Sequence, residues 1–279
     1  MRATSSGIPP AAATLIAAAG GIPLLVARSE DKLIAAKEEI ERNGGTAYHY
    51  TADLSDYDSI DRMVEKALAD HPSIDVLVNN AGRSIRRSVA LSYDRFHDYE
   101  RTIQLNYLGS LRLILALLPA MRARKSGHII NISSIGVQTN PPRFSAYVAS
   151  KAALDAWTRC ASSEYADMGI SFTTINMPLV RTPMIGPTKI YDNVPVLSPE
   201  DAANMIAEAC VEKPVRIATR LGITGELLHA LVPRVAQIVM NSTFRMFPDS
   251  AAAKGDKGKK YQPSAEAVAM AQMMRGIHF

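Results

Sequence analysis

A tyrosine and a lysine in the segment SAYVASK, residues 145–151, have the types and spacing needed for proton transfer. Tyr147 and Lys151 are four residues apart, so on a helix both side chains point to the same face. A phenol with its unperturbed pKa of ~10 is a poor acid or base at neutral pH, and an adjacent ammonium lowers that pKa by stabilising the phenolate. The pair predicts a proton-transfer site, although a core tyrosine beside a surface lysine would give the same pattern.

Other polar motifs follow the ends of predicted strands in one order along the chain. Ser134 ends the apolar run GHIINISS, thirteen residues before Tyr147, at the sheet edge where parallel sheets bind ligands. Its hydroxyl could hydrogen-bond a substrate carbonyl. NNAG (79–82) follows an earlier strand, and QLNYLG (104–109) lies in a predicted helix. Together these motifs favour an active site over the core-tyrosine interpretation.

Strand-like and helix-like segments alternate along most of the chain. Short apolar runs such as IPLLVA (22–27) and GHIINI (127–132) are typical of strands covered on both faces. Between them lie helices such as 55–71, whose apolar residues recur every three or four positions. The alternation predicts an α/β fold with a Rossmann-type doubly wound parallel sheet, and a ligand outside the carboxyl ends of the strands.

Composition and charge exclude several classes of protein. Hydrophobic residues make up 47% and charged residues 21% of the 279 positions, ordinary values for a globular chain. The net charge is +4, but the basic residues are dispersed among 27 acidic ones, which argues against nucleic-acid binding. Cys160 and Cys210 have no Cys or His neighbours at metal-ligand spacing, so no metal is expected. They are predicted to be reduced core thiols of a cytoplasmic protein.

With these motifs the chain resembles the classical short-chain dehydrogenases/reductases over roughly residues 3–220. The resemblance implies a catalytic tetrad in which Tyr147 donates a proton to a carbonyl oxygen while NADPH delivers hydride to the carbon. Ser134 would position that oxygen. Lys151 would hold the cofactor ribose and depress the pKa of Tyr147. Asn106 would anchor a water molecule in the proton relay.

Longer segments of the chain resemble a smaller group within this family. NNAGRSIRRSV (79–89), the stretch 132–157 and MPLVRTPMIGPTKIY (177–191) look like bacterial fatty acyl-CoA reductases that form aldehydes, and like related mycolate and wax-ester reductase domains. This implies NADPH and a long-chain acyl-CoA or aldehyde substrate, with another lipophilic carbonyl, such as a keto-lipid or steroid, as the alternative. Arg83, Arg86 and Arg87 could pair with coenzyme A phosphates, although a solvated loop is the favoured interpretation.

The resemblance also assigns cofactor positions. Arg28 stands where an acid would bind the ribose of NAD, and an arginine there suits the 2′-phosphate of NADP. The other matched positions surround the adenine, the riboses and the nicotinamide. They are Asp53, Leu54, Asn80, Ala81, Gly82, Tyr147, Lys151, Val180 and Thr182.

The opening stretch, ATSSGIPPAAATLIAAAGG (3–21), has the outline of a phosphate-binding turn that leads into a helix. Ala3 and Pro9 stand where the family has two further glycines, and Pro9 removes a backbone N–H near the pyrophosphate. No strand precedes the turn, so we expect a sheet without its first strand, and a truncated chain with impaired cofactor binding is an alternative. Prolines and glycines within the run argue against a signal peptide. The residues that match the family's loop are Ser6, Gly7 and Ile8.

The pattern changes near the C-terminus. Residues 1–220 are predicted to form the Rossmann domain, and 221–279 a helical extension with a flexible, Lys- and Gly-rich linker. An apolar stripe in the extension could line an acyl tunnel or lie on a membrane, but core packing is the favoured interpretation. A homo-oligomer is implied by the resemblance, with peripheral membrane contact as an alternative. The stripe consists of Leu228, Leu231, Val235, Ile238 and Val239.

Overall fold

The computed structural model describes residues 7–185, 196–249 and 251–254. Ser6 of the predicted glycine loop lies outside these ranges, as does 255–279, where the sequence predicts most of the linker and a last helix. Within the described ranges the chain forms an α/β fold in which all paired strands are parallel. The strands are β1 (Leu24–Ala27), β2 (Tyr48–Thr51), β3 (Val76–Asn79), β4 (Gly127–Ile132), β5 (Ile170–Asn176) and β6 (Arg216–Ala218).

Helices connect the strands, as the alternating pattern predicts. A π-helical turn, Gln104–Gly109, joins two of them within one continuous helical stretch. The helices are α1 (Ile8–Ala18), α2 (Glu30–Arg42), α3 (Tyr57–Asp70), α4 (His97–Ile103), α5 (Ser110–Arg124), α6 (Ile135–Thr139), α7 (Ser145–Glu164), α8 (Pro199–Glu212), α9 (Arg220–Leu231), α10 (Pro233–Met246) and α11 (Ala251–Lys254).

The described strands form two sheets rather than one. β1 pairs with β2, and the second sheet has the order β3-β4-β5-β6. β1 and β3 therefore each have an edge that no described strand covers, and the residues of β1 are only half-buried. The break lies where a doubly wound sheet has its first strand. The prediction of a Rossmann-type parallel α/β fold is confirmed, and no strand within residues 7–185, 196–249 and 251–254 fills the position of the first strand.

β4 is the centre of the structure, and all its residues are buried. Because side chains alternate along a strand, Ile129 faces a core formed with α3, α5 and α7, whereas Ile130 and Ile132 face a second core formed with α1 and α8. Helices thus cover both faces of the larger sheet. The carboxyl ends of its strands remain open at one edge, where polar residues can meet a ligand.

One helical stretch, His97–Arg124, is long and apolar enough to cross a membrane. Its apolar residues nevertheless form part of the core against β4, since Ile114, Leu117, Leu118 and Met121 are buried there. This stretch is therefore explained by packing within the fold.

The C-terminal extension begins with two consecutive helices. α9 packs against α6, and α10 packs against α9. The expected core packing of the apolar stripe is wrong for most of its residues, because Leu231, Val235, Ile238 and Val239 are exposed. Leu228 is half-buried. Cys160, expected in the core, is also exposed.

Candidate active site

Helix α7 holds Tyr147 and Lys151 one turn apart, as their spacing predicts. Lys151 is only 3% exposed, and its Nζ donates a hydrogen bond of 2.7 Å to the carbonyl oxygen of Ile132, at the end of β4. This contact joins α7 to the carboxyl end of the central strand. Ser134 follows two residues later as the N-terminal cap of α6, where its Oγ accepts a bond from the Gly136 amide.

The π-helical turn presents Asn106 to the loop after β3. Asn106 is fully buried. Its Nδ2 donates to the carbonyl oxygen of Arg83 and to Oγ of Ser150, both at 2.9 Å, and its Oδ1 accepts from the Arg83 amide at 2.7 Å. Insertions of this kind are frequent at functional sites. Both Nδ2 protons of Asn106 are thus engaged by the protein, so the side chain fixes the loop that carries Gly82.

Gly82 lies in close contact with two of the predicted tetrad residues. A Cβ at this position would be 3.3 Å from Oδ1 of Asn106 and 3.4 Å from Nζ of Lys151. A Cβ would therefore require Oδ1 of Asn106 to shift by a few tenths of an ångström. This close approach gives a physical reason for glycine in the NNAG motif.

Burial sets the protonation of the Tyr–Lys pair. It raises the pKa of Tyr147 above 10.0, an effect that a hydrogen bond with Ser134 opposes and the charge of Asp155 reinforces. Burial lowers the pKa of Lys151 to about 8, whereas the charge of Asp155 raises it. The expectation that the pKa of Tyr147 is depressed is therefore wrong for this structure. Tyr147 carries its proton at neutral pH, as a general acid must.

Asp155 is a neighbour of the site that the sequence reasoning did not identify. It lies one turn beyond Lys151 on α7 and is 4% exposed. Burial raises its pKa, whereas hydrogen bonds with Ser133 and Asn176 and the charge of Lys151 lower it. The sequence contains the information needed to find Asp155, because it is four residues after Lys151 and residues at that spacing share a helix face.

A cavity of about 810 Å³ brings many of the predicted residues together. Its polar wall comes from the ends of β3, β4 and β5, and much of the remaining wall is apolar. Asn106 lies behind this wall, and Arg28, Asp53, Leu54 and Ala81 do not line it. The predicted residues that line the cavity are Gly7, Ile8, Asn80, Gly82, Ser134, Tyr147, Lys151, Val180 and Thr182.

The adenine-side positions lie at the ends of the smaller sheet. Arg28 follows β1 and is exposed. Asp53 follows β2, where its Oδ1 accepts from the Ser55 amide and its own amide donates to Ser59. The carbonyl oxygen of Leu54 would be 1.9 Å from a Cβ on Gly109, so the π-helical turn packs directly against this loop.

The turn at the start of α1, predicted to bind phosphate, has few amide donors. Gly7 precedes the helix with φ 157° and ψ 164°, a combination that essentially only glycine adopts. Pro9 and Pro10 occupy the first turn and have no N–H to offer. The amide of Ala11 donates to the carbonyl oxygen of Gly7, so the amide of Ile8 is the remaining N–H that this turn can offer to a ligand among the described residues.

Two arginines hold the C-terminal segment, which we define as residues 233–249, beside the cavity, and a third binds just beyond it. Nη2 of Arg86 donates to the carbonyl oxygens of Phe247 and Pro248, and Nη1 of Arg143 donates to that of Phe244. Nη1 of Arg87 donates to the carbonyl oxygen of Ala253, just beyond this segment. Arg86 and Arg87 thus bind this chain's own backbone, whereas the sequence suggested coenzyme A phosphates or solvent.

The carboxylate of Asp249 also attaches the C-terminal segment to the rest of the fold. Oδ1 of Asp249 accepts from the Ser88 amide at 3.0 Å and lies 3.3 Å from Nε of Arg143. The guanidinium of Arg143 also stacks on the ring of Phe244, 3.9 Å from its centre. We call Arg86, Arg87, Arg143 and Asp249 the arginine clasp. It holds Met240, Thr243 and Phe247 as part of the cavity wall.

Comparison with known proteins identifies the chain. A family model described as short chain dehydrogenase matches residues 3–190, which include β1 to β5 and α7. The chain belongs to the short-chain dehydrogenases. It is therefore an NAD(P)H-dependent oxidoreductase, as the sequence predicted.

Individual relatives agree with this assignment. A fatty acyl-CoA reductase of Acinetobacter baylyi is 55% identical over 91% of this chain and 86% of its own length. A short-chain dehydrogenase from Streptomyces avermitilis superposes with a TM-score of 0.71 at 29% identity, over 86% of this chain and 94% of that one. A metagenomic short-chain oxidoreductase in complex with NADP superposes with a TM-score of 0.62 at 30% identity, over 72% of this chain and 84% of that one.

The pH dependence of this short-chain dehydrogenase should follow the pKa of Lys151, which is about 8. Below that pH the ammonium is charged and can stabilise a developing Tyr147 phenolate, so turnover should be level. Above it the neutral amine predominates and turnover should fall. Asp155→Asn removes a charge that raises the pKa of Lys151 and should move the fall to lower pH.

Steady-state rates against pH for the wild type and Asp155→Asn measure this effect. Asp167→Asn, on an exposed residue beyond the end of α7, is the control and should keep the wild-type profile. An identical profile for Asp155→Asn and the wild type would contradict the assignment.

The arginine clasp should be required to hold the C-terminal segment in place. Asp249→Ala removes the partner of a largely buried guanidinium, a change that typically costs about 3–5 kcal/mol. Hydrogen exchange of residues 240–249, measured by mass spectrometry, should then become at least about tenfold faster, with β4 unaffected. Asp61→Ala breaks an exposed ion pair with Arg112 and should leave exchange in 240–249 unchanged. Equal exchange in Asp249→Ala and the wild type would refute the clasp.

Proposed function

We propose that this protein is an NADPH-dependent reductase of long-chain fatty acyl-CoA or fatty aldehyde. The observation that carries the proposal is the 55% identity, over 91% of the chain, to a fatty acyl-CoA reductase. The cavity supports it chemically, because side chains such as Ile135, Phe144, Leu179 and Met184 line it and suit an alkyl chain better than a polar substrate.

The residues present fit a dinucleotide in most of its contacts. Gly82 allows close approach to Lys151 and Asn106, and Val180 and Thr182 line the cavity where a nicotinamide would enter. Lys151 would hold the ribose, and Asp53, Leu54 and Asn80 would border the adenosine. The weak point is the pyrophosphate, because Pro9 and Pro10 remove amides that a helix N-terminus normally offers to phosphate. This favours low cofactor affinity, which is the impaired-enzyme alternative.

The exposed Arg28 favours NADPH over NADH. It lies at the end of β1, immediately before α2, whose cap residue Ser29 makes no side-chain hydrogen bond to the helix. A guanidinium beside unpaired helix amides is suited to a phosphate group. Glu30 and Asp31 in the first turn oppose this attraction in part.

The chain's own residues can carry the acid step. Burial keeps Tyr147 protonated, so its hydroxyl can donate a proton to a substrate oxygen. Ser134, which hydrogen-bonds Tyr147, can hold the same oxygen. Lys151 places a charge beside the phenolate that forms, and Asp155 stabilises that charge. A bound cofactor would supply hydride to the carbonyl carbon, which together with the proton converts an aldehyde to an alcohol. With acyl-CoA the same addition would give a hemithioacetal, whose C–S bond must then break to release the aldehyde and coenzyme A as its thiol.

Replacement of Tyr147 tests the assigned acid. Tyr147→Phe keeps the ring and removes the proton donor, so NADPH-dependent reduction of hexadecanal should fall by about a hundredfold to ten-thousandfold. NADPH affinity, measured by fluorescence titration, should stay within about twofold. Tyr93→Phe, on an exposed tyrosine, is the matched control and should behave as the wild type. Retained turnover in Tyr147→Phe would refute the mechanism.

The same assay with other substrates tests the substrate class. Palmitoyl-CoA or hexadecanal should be reduced with a higher kcat/KM than a steroid ketone. Reduction of the ketone alone would favour the second lipophilic-carbonyl candidate. An absence of saturable NADPH binding by the wild type would favour the impaired-enzyme alternative.

Cofactor preference should depend on Arg28. Arg28→Asp replaces a phosphate partner by a carboxylate, so the ratio of kcat/KM for NADPH to that for NADH should fall by about tenfold to a hundredfold, the range for a charged hydrogen bond. Arg42→Asp, at the other end of α2, is the control and should leave the ratio unchanged. An unaltered ratio in Arg28→Asp would remove this residue from the cofactor site.

A further inference from the structure

Helices α9 and α10 have an apolar face that no described part of the chain covers. Leu231 is 76% exposed and Ile238 is 67% exposed, and their neighbours are also exposed. Within α10 only Ala236 is buried. Isolated exposed apolar residues are common on proteins, whereas a continuous group marks a binding surface. We call this group, Leu227, Leu231, Val235, Ile238 and Val239, the outer face.

The charges around the outer face have one dominant sign. α10 contains Arg234 and Arg245, both exposed, and no acidic residue. The one acid of α9, Glu226, is paired with Arg216. In the sequence that follows, residues 254–260 contain four lysines and one aspartate. An apolar stripe flanked by arginines, with a basic stretch after it, is typical of helices that lie in the interface of an anionic bilayer.

We propose that the outer face docks the protein on the surface of an anionic lipid bilayer. The apolar side chains would enter the boundary between headgroups and acyl chains, and Arg234 and Arg245 would contact the phosphates. A second copy of the chain fits this surface less well. An interface with two-fold symmetry would bring the same arginines of both copies into one contact.

The opposite side of α10 faces the candidate active site. Met240 and Thr243 line the cavity, while Ile238 and Val239 point to solvent. Docking would thus place one helix between the bilayer and the cavity, which suits an apolar substrate that partitions into lipid. Binding itself does not depend on the proposed reaction, so it can be tested without substrate.

Co-sedimentation of the full chain with vesicles tests the proposal. The chain should bind vesicles of phosphatidylcholine and phosphatidylglycerol in equal parts, and bind pure phosphatidylcholine about fivefold more weakly for each arginine at the surface. Leu231→Ser combined with Ile238→Ser should lower partitioning at least about tenfold. Arg234→Gln combined with Arg245→Gln should lower binding to the mixed vesicles only.

Val211→Ser is the matched control, because Val211 on α8 is 75% exposed and lies outside the outer face. It should bind as the wild type does. Circular dichroism and thermal unfolding show that each variant is folded. No binding by the wild type, or equal binding by the Leu231/Ile238 double variant, would overturn the proposal. A change of molar mass by light scattering in that variant, without loss of vesicle binding, would instead assign the outer face to a second copy.

Discussion

The buried ammonium group of Lys151 is the constraint on which the site depends. Lys151 belongs to α7, and its ammonium donates a hydrogen bond to the carbonyl oxygen of Ile132 at the end of the central strand. Removal of a charge from water is costly unless it is paired, and the lowered pKa of Lys151 expresses that cost. Asp155 offsets part of it from one helical turn away.

The surrounding residues follow from the same constraint. A Cβ at Gly82 would lie only 3.3 Å from Oδ1 of Asn106 and 3.4 Å from Nζ of Lys151, so glycine fits this position best. Asn106, within the π-helical turn, in turn fixes the loop that carries Gly82 through its hydrogen bonds with Arg83. Tyr147 is then left in a partly enclosed setting, and burial raises the pKa of its hydroxyl.

The sequence predicts the parts of this arrangement that depend on local pattern. β1, β4 and α7 are visible as apolar runs or helical spacing, and the order of NNAG, NISS and YVASK indicates which strand ends meet. The predicted lowering of the Tyr147 pKa was wrong, because the charge of Lys151 is visible in the sequence and the burial of the phenol is not. The roles of Arg86, Arg87 and Arg143 depend on contacts with residues more than a hundred positions later, which no local pattern reveals.

The divided sheet gives a dinucleotide a structural role under the proposed function. β1 and β2 attach to the rest of the fold by packing, through Leu24 and Val26 against the main core, and no described strand ladder joins them to β3. Arg28 and Asp53 follow the strands of the smaller sheet. Gly82 follows β3 of the larger sheet, and Lys151 on α7 contacts the end of β4. A ligand that contacts both would stabilise their relative arrangement, by about 2.7 kcal/mol when its concentration is a hundredfold above its dissociation constant.

The C-terminal segment shows why the apolar stripe could not be assigned from periodicity alone. Helical spacing establishes that one side of α10 is apolar, but both core packing and membrane contact satisfy that pattern. Among the described residues the structure excludes core packing for most of the stripe, because Leu231, Val235, Ile238 and Val239 are exposed. Polar groups at Phe244, Phe247 and Asp249 hold the segment to the cavity, so the apolar side of α10 is not needed for attachment and faces outward. A helix that was held by its apolar side would have to leave the cavity in order to meet a lipid surface, whereas this one can meet a bilayer with the cavity wall in place.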